Sequence, residues 1–133
     1  GALTMPIAAT LDTLIVDDQR STRQLVRSSL QQLGFKQIRE CEDGEEARTL
    51  LETIGVQLIL SDLNMPKLDG LGLLRAVRSH PQMGRTAFIM LTGRADTELV
   101  QQAIKLGVNN YIVKPFTLEN LKKKVEAVVG RLT

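Results

Sequence analysis

From Thr13 onward the chain alternates between two hydrophobic patterns. Short, nearly continuous apolar runs fall at Leu14-Ile15-Val16, Val56 to Leu60, Ala87 to Leu91 and Tyr111-Ile112-Val113, with a weaker, more polar run at Gln37 to Cys41. Continuous rather than alternating hydrophobicity predicts strands covered on both faces, as in a parallel sheet. Between these runs apolar residues recur at helical spacing. Leu25, Val26, Leu30 and Leu33 form one stripe ahead of Gly34, a C-terminal helix stop; Ala47, Leu50, Leu51 and Ile54 form another. Leu73, Leu74 and Val77 supply a shorter stripe after Gly70, and Leu99, Val100, Ala103 and Ile104 precede Gly107. Leu118, Leu121, Val125, Val128, Val129 and Leu132 make the last. Five strands alternating with five helices predict an open, doubly wound α/β sheet with right-handed crossovers and helices on both faces. Ligand chemistry in such folds gathers outside the carboxyl ends of the strands, where strand order reverses.

Composition narrows the setting. At 133 residues the chain suffices for one core and one domain. That domain is expected over residues 11–133, with residues 1–10 as an N-terminal extension whose first four, ahead of Met5, read as a cloning remnant. A net charge of +2 and 3% aromatic residues exclude an evident nucleic-acid surface. No apolar run is long enough to span a membrane, and no secretory leader is seen, so neither membrane insertion nor export is expected. The lone Cys41 reads as a buried or idle thiol, which fits a cytoplasmic protein. Arg20, Arg23 and Arg27 read as a solvated helix face, and His80 as part of a polar connection.

The strand ends carry the candidate chemistry. The first run ends in Asp17-Asp18, the third in Asp62, the fourth in Thr92-Gly93 and the fifth in Lys114-Pro115. In a parallel sheet these residues converge on one edge. Two unit charges about 4 Å apart repel by roughly 4 kcal/mol at an effective dielectric of about 20. Three carboxylates therefore need relief: either one takes a proton or a cation enters. Oxygen-only ligands favour a hard divalent ion, foremost Mg²⁺, and Lys114 adds a fixed positive charge. Such a site suits phosphoryl transfer to a carboxylate. Neither G-x-x-x-x-G-K-[ST] nor G-x-G-x-x-G follows the first strand, so no nucleotide is held in the usual way.

Together "LIVDDQRSTRQLVRSSLQQLGF", "ECEDGEEA", "SDLNMPKLDGLGLL", "MLTG" and "YIVKPFT" resemble the receiver domains of two-component response regulators, most closely the single-domain chemotaxis regulators. The resemblance runs from Leu14 to the C-terminus. It implies a flavodoxin-like sheet of order 2-1-3-4-5. It also implies a phosphoryl group accepted by Asp62 from a histidine kinase. Asp18, Asp62 and the backbone carbonyl of Asn64 would bind Mg²⁺ directly, and Asp17 through a water. Thr92 and Lys114 would contact the phosphoryl oxygens, Pro115 would follow a cis peptide, and Tyr111 would change position as Thr92 moves. Met65-Pro66 would shape the loop after the acceptor, and Asp69-Gly70 would turn it into the next helix. The output face would be made by residues 95–107, residues 111–113 and the last helix. The implied partners are the flagellar motor switch and an auxiliary phosphatase, with the chain acting as a monomer that slowly hydrolyses its own acyl phosphate. Rival roles are a phosphorelay intermediate, a phosphate sink, or an aspartyl-nucleophile phosphohydrolase. Haloacid-dehalogenase-type hydrolases carry a second Asp where this chain has Asn64.

Overall fold

Every apolar run becomes a strand in the computed structural model, which describes residues 7–132. The strands are β1 (Asp12–Val16), β2 (Gln37–Cys41), β3 (Leu58–Asp62), β4 (Ala87–Thr92) and β5 (Asn110–Val113). They form one sheet in the order β2-β1-β3-β4-β5, and every neighbouring pair is parallel. The four residues read as a cloning remnant lie outside the described span.

Alternate residues of each central strand enter different cores. Leu14 and Val16, Ile59, and Phe88 and Met90 pack on one face with Ala47, Leu51, Leu73, Leu74 and Val77. Ile15, Leu58 and Leu60, and Ile89 and Leu91 pack on the other with Val26, Leu30, Leu121 and Val125. Both faces are covered, which is why these strands read as unbroken apolar runs. Edge strand β2 instead alternates exposed and half-buried positions before the buried Cys41, and its sequence is correspondingly polar.

Six helices, not five, occur among the described residues: α1 (Ile7–Thr10), α2 (Arg20–Gln32), α3 (Gly44–Leu51), α4 (Gly70–Ser79), α5 (Thr97–Lys105) and α6 (Leu118–Val129). The addition, α1, is a single turn whose Ala8 is buried in the same core as Ile15 and Val26. Four residues are too few to carry a helical period. Side chains cap three of the longer helices: Asp43 accepts from Glu46 N–H, Asp69 from Gly72 N–H and Thr117 from Asn120 N–H. Gly34 and Gly107 follow α2 and α5 with positive φ, as their stop positions require.

One stripe is rotated from its expected place. Leu25 is 54% exposed, and the buried face of α2 is Arg23, Val26, Ser29 and Leu30. Ile104 is likewise exposed, with Ala103 the buried residue of α5. No described helix is long and apolar enough to cross a membrane.

Candidate functional site

Strand order reverses at β1, flanked by β2 and β3, and the carboxyl ends of β1 and β3 open onto the crevice this creates. Asp17 and Asp18 leave β1 there, and Asp62 is the last residue of β3. Their carboxylates each offer one oxygen, all within 4.8 Å of one another, with Asp17 and Asp62 buried and Asp18 exposed.

Asp17 is held on almost every polar atom. Its N–H donates to Cys41 O at 3.1 Å, its Oδ1 accepts from Gln19 N–H at 2.9 Å, and its carbonyl accepts from Arg23 Nη1 at 2.7 Å. Oδ2 is the exception. It is the buried side-chain polar atom without a hydrogen-bond partner among the described residues, and its nearest cation, Lys114 Nζ, stands at an ion-pair distance of 3.8 Å. Loss of water around the carboxylate pushes its pKa up; the Gln19 hydrogen bond opposes this, and the neighbouring Asp62 charge adds to it.

Asp62 Oδ1 accepts from Lys114 Nζ at 2.9 Å and from Leu63 N–H at 3.0 Å. The lysine arrives from the end of β5, where Lys114 N–H donates to Thr92 O at 2.7 Å and the Lys114-Pro115 peptide is cis, as the resemblance implied. Within this cluster of three carboxylates one ammonium pairs with Asp17 and Asp62, and that charge deficit together with an Oδ2 lacking a hydrogen bond fits a divalent, oxygen-seeking cation.

The side chains of the other expected site residues make no hydrogen bond to these carboxylates among the described residues. Thr92 is fully buried at the end of β4, and its hydroxyl donates to Ile112 O at 3.4 Å, not to Asp62. Asn64 lies exposed two residues beyond Asp62. Tyr111 pairs with Met90 in the β4/β5 register and carries Lys124 Nζ over its ring at 4.8 Å. Thr92 and Tyr111 meet instead along a groove that also includes Val100, Ile104 and Val113. After Thr92, Gly93 N–H donates to Asp96 Oδ2 at 2.7 Å; Asp96 turns its carboxylate back to this loop and leaves α5 without a side-chain cap.

The arginines of α2 correct the sequence reading. Arg20 is exposed, but Arg23 is buried and Arg27 half-buried, and the two Oε atoms of Glu40 accept from the Nε of Arg23 at 3.2 Å and of Arg27 at 2.5 Å. The signal was in the spacing. Arg23 lies three and seven residues before Val26 and Leu30, on the buried stripe itself.

Known proteins share this arrangement. Residues 13–126 match the model of the response regulator receiver domain. The chain is 48% identical to the "Probable chemotaxis protein CheY" of Rhizobium etli over 128 residues, covering 96% of this chain and 99% of that protein. It is 40% identical to the chemotaxis protein CheY1 of Helicobacter pylori, over 88% of this chain and 95% of that one. Among solved structures, the chemotaxis response regulator CheY4 of Vibrio cholerae superposes with a TM-score of 0.80 at 35% identity, covering 88% of this chain and 97% of that one. The receiver domain of a sensor histidine kinase from Pseudomonas aeruginosa PAO1, whose active-site cleft holds a magnesium ion, superposes with a TM-score of 0.81 at 27% identity, covering 90% and 98%. Five parallel strands in this order, an acidic crevice where the order reverses and a family match across most of the length have one meaning: the chain belongs to the receiver domains of two-component response regulators.

Proposed function

We propose that Asp62 takes a phosphoryl group from the phosphohistidine of a histidine kinase. Lys114 and the Leu63 N–H engage Oδ1, so Oδ2 is the oxygen that attacks. The O–P bond forms as the P–N bond to the donor imidazole breaks, and the imidazole leaves with the electron pair. Asp18, Asp62 and the carbonyl of Asn64 would hold Mg²⁺ directly, with Asp17 engaged through a water. When bound, that ion neutralises charge on the phosphoryl oxygens and on the carboxylates. Lys114 stays beside the transferred group and offsets its charge.

Switching begins at Thr92. Its hydroxyl exchanges Ile112 O for a phosphoryl oxygen, drawing the end of β4 toward Asp62. The space this leaves along the shared groove lets Tyr111 turn inward, which changes the face formed by α5, β5 and α6. The chemotaxis relatives support an output in chemotaxis; on this reading the output partner is the flagellar motor switch, and the signal ends by slow hydrolysis of the acyl phosphate and by an auxiliary phosphatase.

The observation that carries this reading is the Lys114 ammonium at 2.9 Å from Asp62 inside a cluster of three carboxylates. Incubation with acetyl phosphate and Mg²⁺ followed by intact-mass measurement tests it. A single phosphoryl adduct that needs Mg²⁺ and disappears in Asp62→Asn is expected; rapid turnover of many phosphate esters would instead make the chain a hydrolase. Pull-down of the motor-switch protein with and without acetyl phosphate tests the output.

A further inference from the structure

Pairing of β1 with both neighbours ends at Val16, opposite Cys41 and Ser61. The Asp17-Asp18 peptide therefore projects past the sheet, where no ladder holds its carbonyl. Arg23 Nη1 takes that carbonyl at 2.7 Å, from a side chain only 10% exposed. The guanidinium is itself fixed, because Glu40 accepts from its Nε at 3.2 Å and Glu42 stands 3.9 Å from its Nη2. With the backbone N–H, carbonyl and Oδ1 of Asp17 all committed, Oδ2 is the one polar atom of the residue left without a hydrogen bond, facing only Lys114 Nζ at 3.8 Å.

We propose that Arg23 is a positioning residue for the cation site. It locks the peptide between Asp17 and Asp18, and thereby fixes the direction from which both carboxylates face Asp62. A planar fork is required, since one end must serve Asp17 O while another serves Glu40. Arg27 shares Glu40 but has a different backbone partner, Ile38 O at 3.0 Å, and so supports the β2 edge without touching the acidic pair. The two arginines, one helical turn apart on α2, separate a positioning role from a structural one.

This inference rests on the receiver reading above. Outer partners that orient metal ligands typically contribute 10- to 100-fold in affinity. The test titrates MgCl₂ into the metal-free full chain, followed by calorimetry and by the backbone amide NMR signals of Asp17, Asp18 and Leu63, with urea midpoints measured in EDTA. Arg23→Ala is expected to weaken Mg²⁺ binding at least tenfold, and Arg27→Ala to lower the urea midpoint while holding Mg²⁺ affinity within twofold. Arg23→Lys keeps a charge opposite Glu40, and with it the fold, but cannot serve both partners; it is expected to lose at least fivefold. Saturating Mg²⁺ should restore the acetyl phosphate reaction in both Arg23 variants. Wild-type affinity in Arg23→Lys, or equal loss in Arg27→Ala, overturns the role of Arg23 alone. Absence of Mg²⁺ binding in the wild type overturns the proposed Mg²⁺-dependent phosphoacceptor function and this inference with it.

Discussion

A carboxylate oxygen deprived of both water and a hydrogen bond costs about 1–3 kcal/mol, and Asp17 Oδ2 is in that position. Its burial raises the carboxyl pKa, and Lys114, shared with Asp62, relieves it only in part. Asp17→Asn should therefore raise metal-free stability by about 1 kcal/mol. Urea unfolding in EDTA checks this, and Mg²⁺ should stabilise the wild type more than the variant. Cys41 offers a second test. Its burial, then the Glu46 and Asp43 charges, push the thiol from 9.0 up to about 12. The folded pKa lies above the unfolded one, so the stabilisation is whole below pH 9.0 and is lost as pH climbs toward 12. At pH 8 the folded thiolate is about a thousandfold scarcer than the unfolded one, and iodoacetamide should label native protein at least a hundredfold more slowly than urea-unfolded protein. The carboxylates, Thr92 and Lys114 were legible in the sequence because each closes an apolar run. Arg23 was not, because a charged residue reads as solvent-facing unless its place on the stripe outweighs its type.

Loops between elements are fixed by contacts of another kind. Arg78, near the end of α4, donates through Nε to Gly107 O at 2.9 Å, through Nη1 to Gly84 O at 3.2 Å and Thr86 O at 2.7 Å, and through Nη2 to Asn109 Oδ1 at 2.8 Å. Asn109 Oδ1 also accepts from Phe88 N–H at 2.8 Å, so a single side chain joins α4, the approach to β4 and the α5–β5 turn. Arg78→Ala leaves these carbonyls to find water and should cost about 2 kcal/mol by urea denaturation, with Mg²⁺ affinity unchanged because the clamp sits at the opposite end of the strands. Gly70 acts at the site's own end. A Cβ there would lie 2.7 Å from Met90 Sδ and 2.9 Å from Leu63 Cα, which confines the position to glycine. Gly70→Ala should destabilise by about 1–3 kcal/mol and, because Leu63 follows the acceptor, also slow phosphorylation by acetyl phosphate. Periodicity could reveal the strands and long helices but not these ties, which join residues far apart in sequence. Nor could it show α1, a single turn recognisable only by what its Ala8 packs against.

The two cores lie on opposite faces of one sheet and share its five strands. Leu74 of α4 and Leu121 of α6 are both fully buried, one in each core. Truncating either to Ala should cost about 2–5 kcal/mol. Because every central strand feeds side chains to both cores, neither face can come apart while the other holds the sheet, and each variant should still unfold in a single urea transition. Their separation across the sheet predicts costs that add within about 0.5 kcal/mol. The sum, about 4–10 kcal/mol, is comparable to the whole stability of an ordinary domain, so Leu74→Ala/Leu121→Ala should be marginal or unfolded without Mg²⁺. The acidic crevice belongs to the same cooperative unit, since its carboxylates and lysine come from the ends of β1, β3 and β5. Mg²⁺ binding by the single variants should consequently vanish at the same urea concentration as the far-ultraviolet circular dichroism signal. Survival of either signal past the other would mean that the site and the sheet are not one folding unit.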